Sequence, residues 1–337
     1  MSEELRIVVD AMGGDNYPSA PVGGAVDAVG RAEGFQVILA GDENVIRDEL
    51  AKCGYTGERI SVLPCTEVIE MAEPPVEAIR KKKDSSIVRG LTMLRTKDAS
   101  AFVSAGSTGA VIAGAQVIVG RIGGIRRAPL AMLIPTEKGI SLLLDCGANV
   151  DARPDQLVGF AKMGSVYVEH VLGKKDPTVG IINIGTEDEK GNALVKETIP
   201  MLRASDVNFI GSVEARDIPA GGTDVLVCEA FTGNIVLKMY EGTASMFKRM
   251  LSSSLKSSVR GMVGGALIKP VLKEALKAYD ASEYGGAPVL GLNGLVVKTH
   301  GNSTRKEIAN AVLQCLAYEK GKVTKRMREA FGAEKKA

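Results

Sequence analysis

Five short apolar runs in this chain each end abruptly in a polar loop that carries glycine, and a helical pattern follows each loop. The loops are DAMGGD (10–15), SAGSTG (104–109), DCGAN (145–149), GTEDEKGN (185–192) and FTGN (231–234); the runs before them lie at 5–9, 101–103, 140–144, 179–184 and 225–227. A buried β-branched run bounded by turn residues and followed by a helix is the unit of an open α/β sheet. Further strands at 35–40, 60–64 and 207–210, alternating with helices at 18–32, 44–53, 74–79, 110–120 and 193–203, predict a doubly wound sheet with helices on both faces. Ligands bind beyond the carboxyl ends of such strands. Five loops on one edge of one sheet therefore predict a single polar cleft. No linker or repeat divides the chain, so one α/β/α domain is expected over 1–330, with a short disordered tail at 331–337. Aromatic residues make up only 4% of the chain and Trp is absent, so the core must be aliphatic.

Composition excludes several classes of function. A formal net charge of +2 carries no bulk nucleic-acid signature. The only histidines are His170 and His300, too few for a multi-histidine metal centre. The five cysteines are far apart and form no CxxC pair. With no recognisable signal peptide, reduced thiols and a cytoplasmic location are expected. No apolar run approaches the roughly 20 residues of a membrane-spanning helix.

Two loops carry chemistry by their residue types. Lys190, flanked by glycines that let backbone approach a ligand, suits an anionic substrate; a solvated acidic turn explains the same residues. The loop 104–109 leads straight into a helix, the arrangement that aims free N–H groups and a helix dipole at phosphate. Tight packing of a helix on a sheet also produces it. Cys146 and Cys228 fall at strand ends near the expected cleft, as acyl-enzyme nucleophiles or, the plainer reading, as small buried apolar residues. His300 follows another strand and is expected to line the cleft.

Residues 235–280 change to long amphipathic helices rich in Lys and Arg. The expected form is a protruding antiparallel helical hairpin with an apolar tip at 261–268 that includes Met262, Val263, Leu267 and Ile268. Such a hairpin suits a membrane surface, a subunit interface, or both. The basic runs at 80–83 and 121–127 suit an acidic protein partner or a solvated face.

The ordered set DAMGGD, SAGSTGA (104–110), GRIGGIRRAP (120–129), LLLDCGANVDARP (142–154), NIGTEDEKGN (183–192), NFIGSVEARD (208–217) and FTGNIVLK (231–238) closely resembles the bacterial phosphate acyltransferase (PlsX) family, in the family's order over almost the whole chain. The resemblance implies a Rossmann-like fold related to phosphotransacetylases and isopropylmalate-dehydrogenase-like proteins. It implies transfer of a long-chain acyl group from acyl-[acyl-carrier-protein] to inorganic phosphate, by a homodimer held peripherally on the inner face of the cell membrane. No metal or organic cofactor is implied, and the product would feed a glycerol-3-phosphate acyltransferase. The catalytic positions carried over are Lys190 and Asn234. Phosphate- and substrate-binding positions are Gly13, Gly14, Ser104, Gly106, Ser107, Thr108, Gly109, Asp145, Asn149, Gly185, Thr186, Thr232, Gly233 and His300. The chain departs from the family at Asn16-Tyr17, where His-Ala is common, and at Ser107, where Asn is common. Phosphate is already partly dianionic near neutral pH, so Lys190 and Asn234 are expected to neutralise it and to stabilise the oxyanion rather than to generate a nucleophile.

Overall fold

The computed structural model describes residues 5–277 and 285–332. The chain opens with the alternation read from sequence and one helix that reading did not include, α4: β1 (Leu5–Asp10), α1 (Ser19–Arg31), β2 (Phe35–Gly41), α2 (Glu43–Lys52), β3 (Ile60–Pro64), α3 (Pro75–Lys81), α4 (Ser86–Thr96), β4 (Ala101–Ser104) and α5 (Thr108–Gly114), which continues through a π turn to Val119. Next come β5 (Met132–Thr136), β6 (Gly139–Leu144), α6 (Pro154–Val171), β7 (Thr178–Asn183), α7 (Ala193–Arg203), β8 (Asn208–Glu214) and β9 (Val225–Val227). The chain closes with α8 (Ala230–Lys256), α9 (Val259–Lys277), β10 (Ala287–Val289), β11 (Leu295–Lys298), α10 (Arg305–Lys320) and α11 (Val323–Gly332).

The strands form two sheets rather than the one expected. One has the order β10-β11-β4-β1-β2-β3, the other β5-β6-β9-β7-β8. All pairings are parallel except those of the edge strands β10 and β5. Both exceptions carry proline (Pro288 and Pro135), which cannot donate a ladder bond and is confined to sheet edges. That is why neither run reads as a strand in the sequence. The two sheets meet near these edges: Ala131 N donates to Pro288 O (3.0 Å) and Leu290 N to Pro129 O (3.0 Å). The five polar loops are therefore divided, two on the first sheet and three on the second.

The pleat assigns each strand's side chains to two cores by alternation. Ile7 and Val9 face one core with Leu142, Leu144, Val179 and Val225, under α1, α6 and α10. Val8 faces the other with Phe102, Leu143 and Leu226, under α3, α4 and α5. Each core runs across both sheets, so the molecule has three layers and the α/β/α class holds.

Two boundaries differ from expectation. Helices α8 and α9 break at Ser257-Ser258, not at 261–268. Ser257 Oγ donates to Ser254 O (2.8 Å) and Ser258 Oγ accepts from Gly261 N (3.0 Å), so the serines close one helix and cap the next. The glycines read as a turn lie inside α9, where Gly265 faces Leu255. Tyr279, assigned to the second helix from sequence, lies outside the described residues, as do residues 333–337. The described chain also continues past 330: α11 runs to Gly332, and Phe331 packs into the core at 5% exposure.

Phe331→Ala is expected to lower the unfolding free energy by about 3 kcal/mol, the cost of emptying a buried aromatic site. Urea unfolding measures it, and an unchanged midpoint would mean that this ring contributes nothing to the core.

Candidate functional site

On the first sheet, β1, β4 and β11 are neighbours, and their carboxyl ends present Asp10, Ser104 and Lys298 in a row. Ser104 Oγ donates to Asp10 Oδ2 (2.7 Å) and accepts from Gly106 N (3.0 Å). Asp10 Oδ1 accepts from Met12 N (3.2 Å). Burial pushes the Asp10 carboxyl up, against the opposing effects of Ser104, Ser86, Met12 and Lys298. A Cβ on Gly13 would overlap Asp10 and the Gly106 amide, so only glycine fits there. Gly14, at φ +93°, lies against Gly301, whose carbonyl accepts from Asp15 N (2.6 Å). Lys298 is almost wholly buried and donates to Thr299 O. Desolvation pulls its ammonium down from 10.5 to about 8, with Asp10 and Asp15 opposing the fall. Ser107 caps α5 through Ala110 N (3.5 Å), leaving the first amides of that helix without intrahelical acceptors.

On the second sheet, β6, β9 and β7 are neighbours and carry the other three loops. Asp145 is fully buried and accepts from Leu130 N, Gly147 N and Ala148 N (3.0 Å each), Asn149 N (2.7 Å) and Asn149 Nδ2 (2.6 Å). Its carboxylate is spent on holding the loop. Asn149 Nδ2 also donates to Ala128 O (3.0 Å), while Asn149 Oδ1 is buried without a partner among the described residues. A Cβ on Gly233 would overlap the Asp145 carbonyl oxygen, so the first turn of α8 lies directly on this loop. Glu229 caps that turn, accepting from Phe231 N (2.6 Å), Thr232 N (3.1 Å) and the Thr232 hydroxyl. Asn234 is exposed on the same turn.

Residues 184–192 follow β7, next to β9. Asn183 Nδ2 donates to Lys190 O (3.2 Å) and to Ser212 Oγ (3.1 Å), and Lys190 N donates to Glu187 O (3.1 Å). Gly185 is buried beneath the Lys190 stem, whereas Thr186 is exposed. Asp188 is taken by Arg203 (Oδ1 to Nη2, 2.9 Å). The Lys190 side chain is exposed and makes no ion pair among the described residues.

One contact joins the two groups of loops. His300, after β11, brings Nε2 to 3.3 Å from Lys238 Nζ and 3.2 Å from Glu241 Oε1, both on α8. Lys238 Nζ also donates to Glu241 Oε2 (2.8 Å). Burial pushes the Glu241 carboxyl up, but the bonds from His300 and Lys238 outweigh it and hold the group below its ordinary value. His300 thus bridges the sheets. Asp10, Lys298, Lys238 and Glu241 escaped sequence reading. Asp10 and Lys238 lie inside quoted motifs, DAMGGD and FTGNIVLK, but neither was singled out there; a lysine ending an apolar strand or an acid three residues further along a helix is too common to mark.

Cys146 and Cys228 are both buried. Burial pushes both thiols well above their ordinary value, and Cys146 Sγ donates to Leu130 O (3.0 Å). Neither has the thiolate character a nucleophile needs, so both are small packing residues.

The model of a family described as "fatty acid synthesis protein" matches residues 5–326. "Phosphate acyltransferase" of Clostridium novyi (strain NT) is 49% identical over 322 residues, covering 95% of this chain and 97% of the relative. "Phosphate acyltransferase" of Clostridium tetani (strain Massachusetts / E88) is 45% identical over 325 residues, 96% and 97% of the two chains. Among solved structures, EutD phosphotransacetylase from Staphylococcus aureus superimposes with a TM-score of 0.61 at 17% identity, covering 94% of each chain. A phosphotransacetylase from Streptococcus pyogenes gives 0.60 at 19%, covering 95% of each. At these identities the structural likeness establishes the fold alone.

The buried Lys298 sets a pH signature. Between about 8, its folded value, and its ordinary 10.5 the unfolded chain binds more protons at this group, so its contribution makes stability rise with pH. Below that window both states are protonated and the contribution is flat. Urea unfolding of wild type and Lys298→Met at pH 8 and pH 10 should show the difference shifting toward wild type at pH 10. A difference independent of pH would contradict a depressed ammonium.

Proposed function

We infer the reaction from one premise: this chain belongs to the fatty acid synthesis protein family. Its reaction is acyl transfer to inorganic phosphate, with a long-chain acyl thioester on acyl-carrier protein as donor and acyl-phosphate as product. A phosphate oxygen attacks the thioester carbonyl and forms the new C–O bond. The tetrahedral oxyanion then collapses and the C–S bond breaks. The departing thiolate takes the proton that the attacking hydrogen phosphate carried, so charge and atoms balance without a cofactor.

Lys190 neutralises the phosphate and supports the oxyanion, and Asn234 donates its amide to the same oxygen. The observation that carries this reading is the pairing of an exposed lysine, free of ion pairs among the described residues, with the first turn of α8 on the adjacent strand. The first amides of α5 extend the anion-binding surface from the other sheet, and the His300–Lys238–Glu241 bridge holds the two sides together. Asp145 and Thr232, whose polar atoms are committed internally, support the loops and leave substrate to their neighbours.

The enzyme works as a homodimer on the inner face of the membrane and passes its product to a glycerol-3-phosphate acyltransferase. Support for the surface seat comes from α8 and α9, where Met246, Phe247, Met250, Met262, Val263, Leu267 and Ile268 are exposed among Lys248, Arg249, Lys256, Arg260 and Lys269. No helix of the described residues is long and apolar enough to cross a membrane, which suits a seat on the surface. At 27 residues α8 spans about 40 Å, from the Asn234 turn to the hairpin, so one rigid rod links site and membrane.

Phosphate-dependent release of carrier-protein thiol from palmitoyl-[acyl-carrier-protein], with acetyl-CoA in parallel, tests the reaction. Release from the carrier protein alone, giving a hydroxylamine-sensitive product, is expected; release from acetyl-CoA alone would make the chain a small-acyl phosphotransacetylase. Lys190→Ala should lose about 10²–10³-fold in kcat, and near-normal turnover would remove Lys190 from the chemistry. Leu267→Asp with Ile268→Asp should abolish recovery on anionic vesicles and leave turnover in solution intact. Continued flotation would exclude α9 as the membrane contact.

A further inference from the structure

The basic run at 121–127 has no part in the chemistry above. In the structure it borders an open hollow of about 870 Å³, with Arg121, Arg126, Arg127 and Arg153 on its walls beside Asp151 and Gln156. The charges are unbalanced. Arg126 and Arg153 share the single carboxylate of Asp155 (2.6 and 3.4 Å). Arg121 reaches only the side-chain oxygen of Gln116 (3.3 Å), and Arg127 has no ion pair among the described residues. Helix α6 begins here, with Pro154 at its first position and Arg153 as its cap, so the positive end of an 18-residue helix adds to the field.

We propose that this hollow docks an acidic surface helix of the protein that carries the acyl thioester. The inference rests on the reading that the donor is protein-borne. All four guanidinium groups are exposed and ring a wide, open depression, which suits several carboxylates spaced along a helix better than one small anion held in a closed cavity. Arginine forks pair with such carboxylates bidentately. The position is right for delivery. Ala128 and Leu130, directly after the run, are bonded to Asn149 and Asp145, and that loop lies against Gly233 in the first turn of α8. The hollow and Asn234 therefore flank one loop, and a protein seated on the arginines would hold a flexible thioester arm over the site.

The test compares wild type with Arg121→Glu/Arg127→Glu, using palmitoyl-[acyl-carrier-protein] and palmitoyl-CoA as alternative donors. At low salt the KM for the carrier-protein donor should rise about tenfold or more. The KM for phosphate, kcat and the rate with palmitoyl-CoA should stay unchanged. Salt should raise the wild-type KM and leave the variant's nearly flat. The milder Arg121→Ala/Arg127→Ala should move the same way by less. Calorimetric titration of the carrier protein into both proteins reads docking independently of turnover. Wild-type transfer from the carrier protein with no change in the variant would overturn the docking site and leave the reaction standing. No wild-type transfer would sink the reaction, and no wild-type binding would sink the hollow with it. An equal loss with both donors would mark a small-anion site, and a change of oligomeric state a subunit contact; either overturns the proposal.

Discussion

The buried carboxylate of Asp145 is the interaction on which the rest of the site depends. It collects five hydrogen bonds inside the molecule, four from its own loop and one from Leu130, and Leu130 is bridged to Val289 of β10. One side chain thereby ties the loop after β6 to the seam between the two sheets. The first turn of α8 then closes onto the same loop with no room for a side chain at Gly233. A buried carboxylate costs free energy unless its oxygens are filled, and here every donor that fills them also positions backbone at the site. The position of Asn234 follows from that packing.

Around this point the molecule balances division and continuity. The sheets are separate in their ladders, yet strand alternation sends their side chains into two cores that each cross the seam. The sheets cannot move independently without opening close-packed interior on both faces. At the polar edge the same joining is done by charge, with His300 from one sheet against Lys238 and Glu241 from the other. The row Asp10–Ser104–Lys298 is the counterpart of Asp145 on the first sheet. It too uses a buried carboxylate to set a loop, with the opposing ammonium pulled toward neutrality by desolvation.

Helix α8 turns these local constraints into a molecular arrangement. Its first turn packs on the Asp145 loop, its third and fourth contribute Lys238 and Glu241 to the bridge, and its far end carries exposed apolar side chains. The candidate site and the exposed apolar face are thus carried by one rod. The arginine hollow stands on the other side of the Asp145 loop, so the loop separates the first turn of α8 from that cationic concavity.

Sequence alone determined the alternation of strands and helices, the α/β/α class, the aliphatic core and the five loops, because each follows from periodicity and turn chemistry within a few residues. Helix α7 was readable end to end, since Asn192 caps its start. Lys190 was legible as a lysine among glycines, and the ordered motifs carried the resemblance to a family. Tertiary structure alone decided that the loops belong to two sheets, because that depends on two proline-bearing edge strands whose pairing is set by distant segments. It also decided that Asp145 faces inward, that Lys298 is buried, and that His300 meets α8, since burial and long-range contact have no local signature. The turn of the hairpin falls at two serines, whose hydroxyls bond the last turn of α8 and the first of α9, while the glycines lie inside α9.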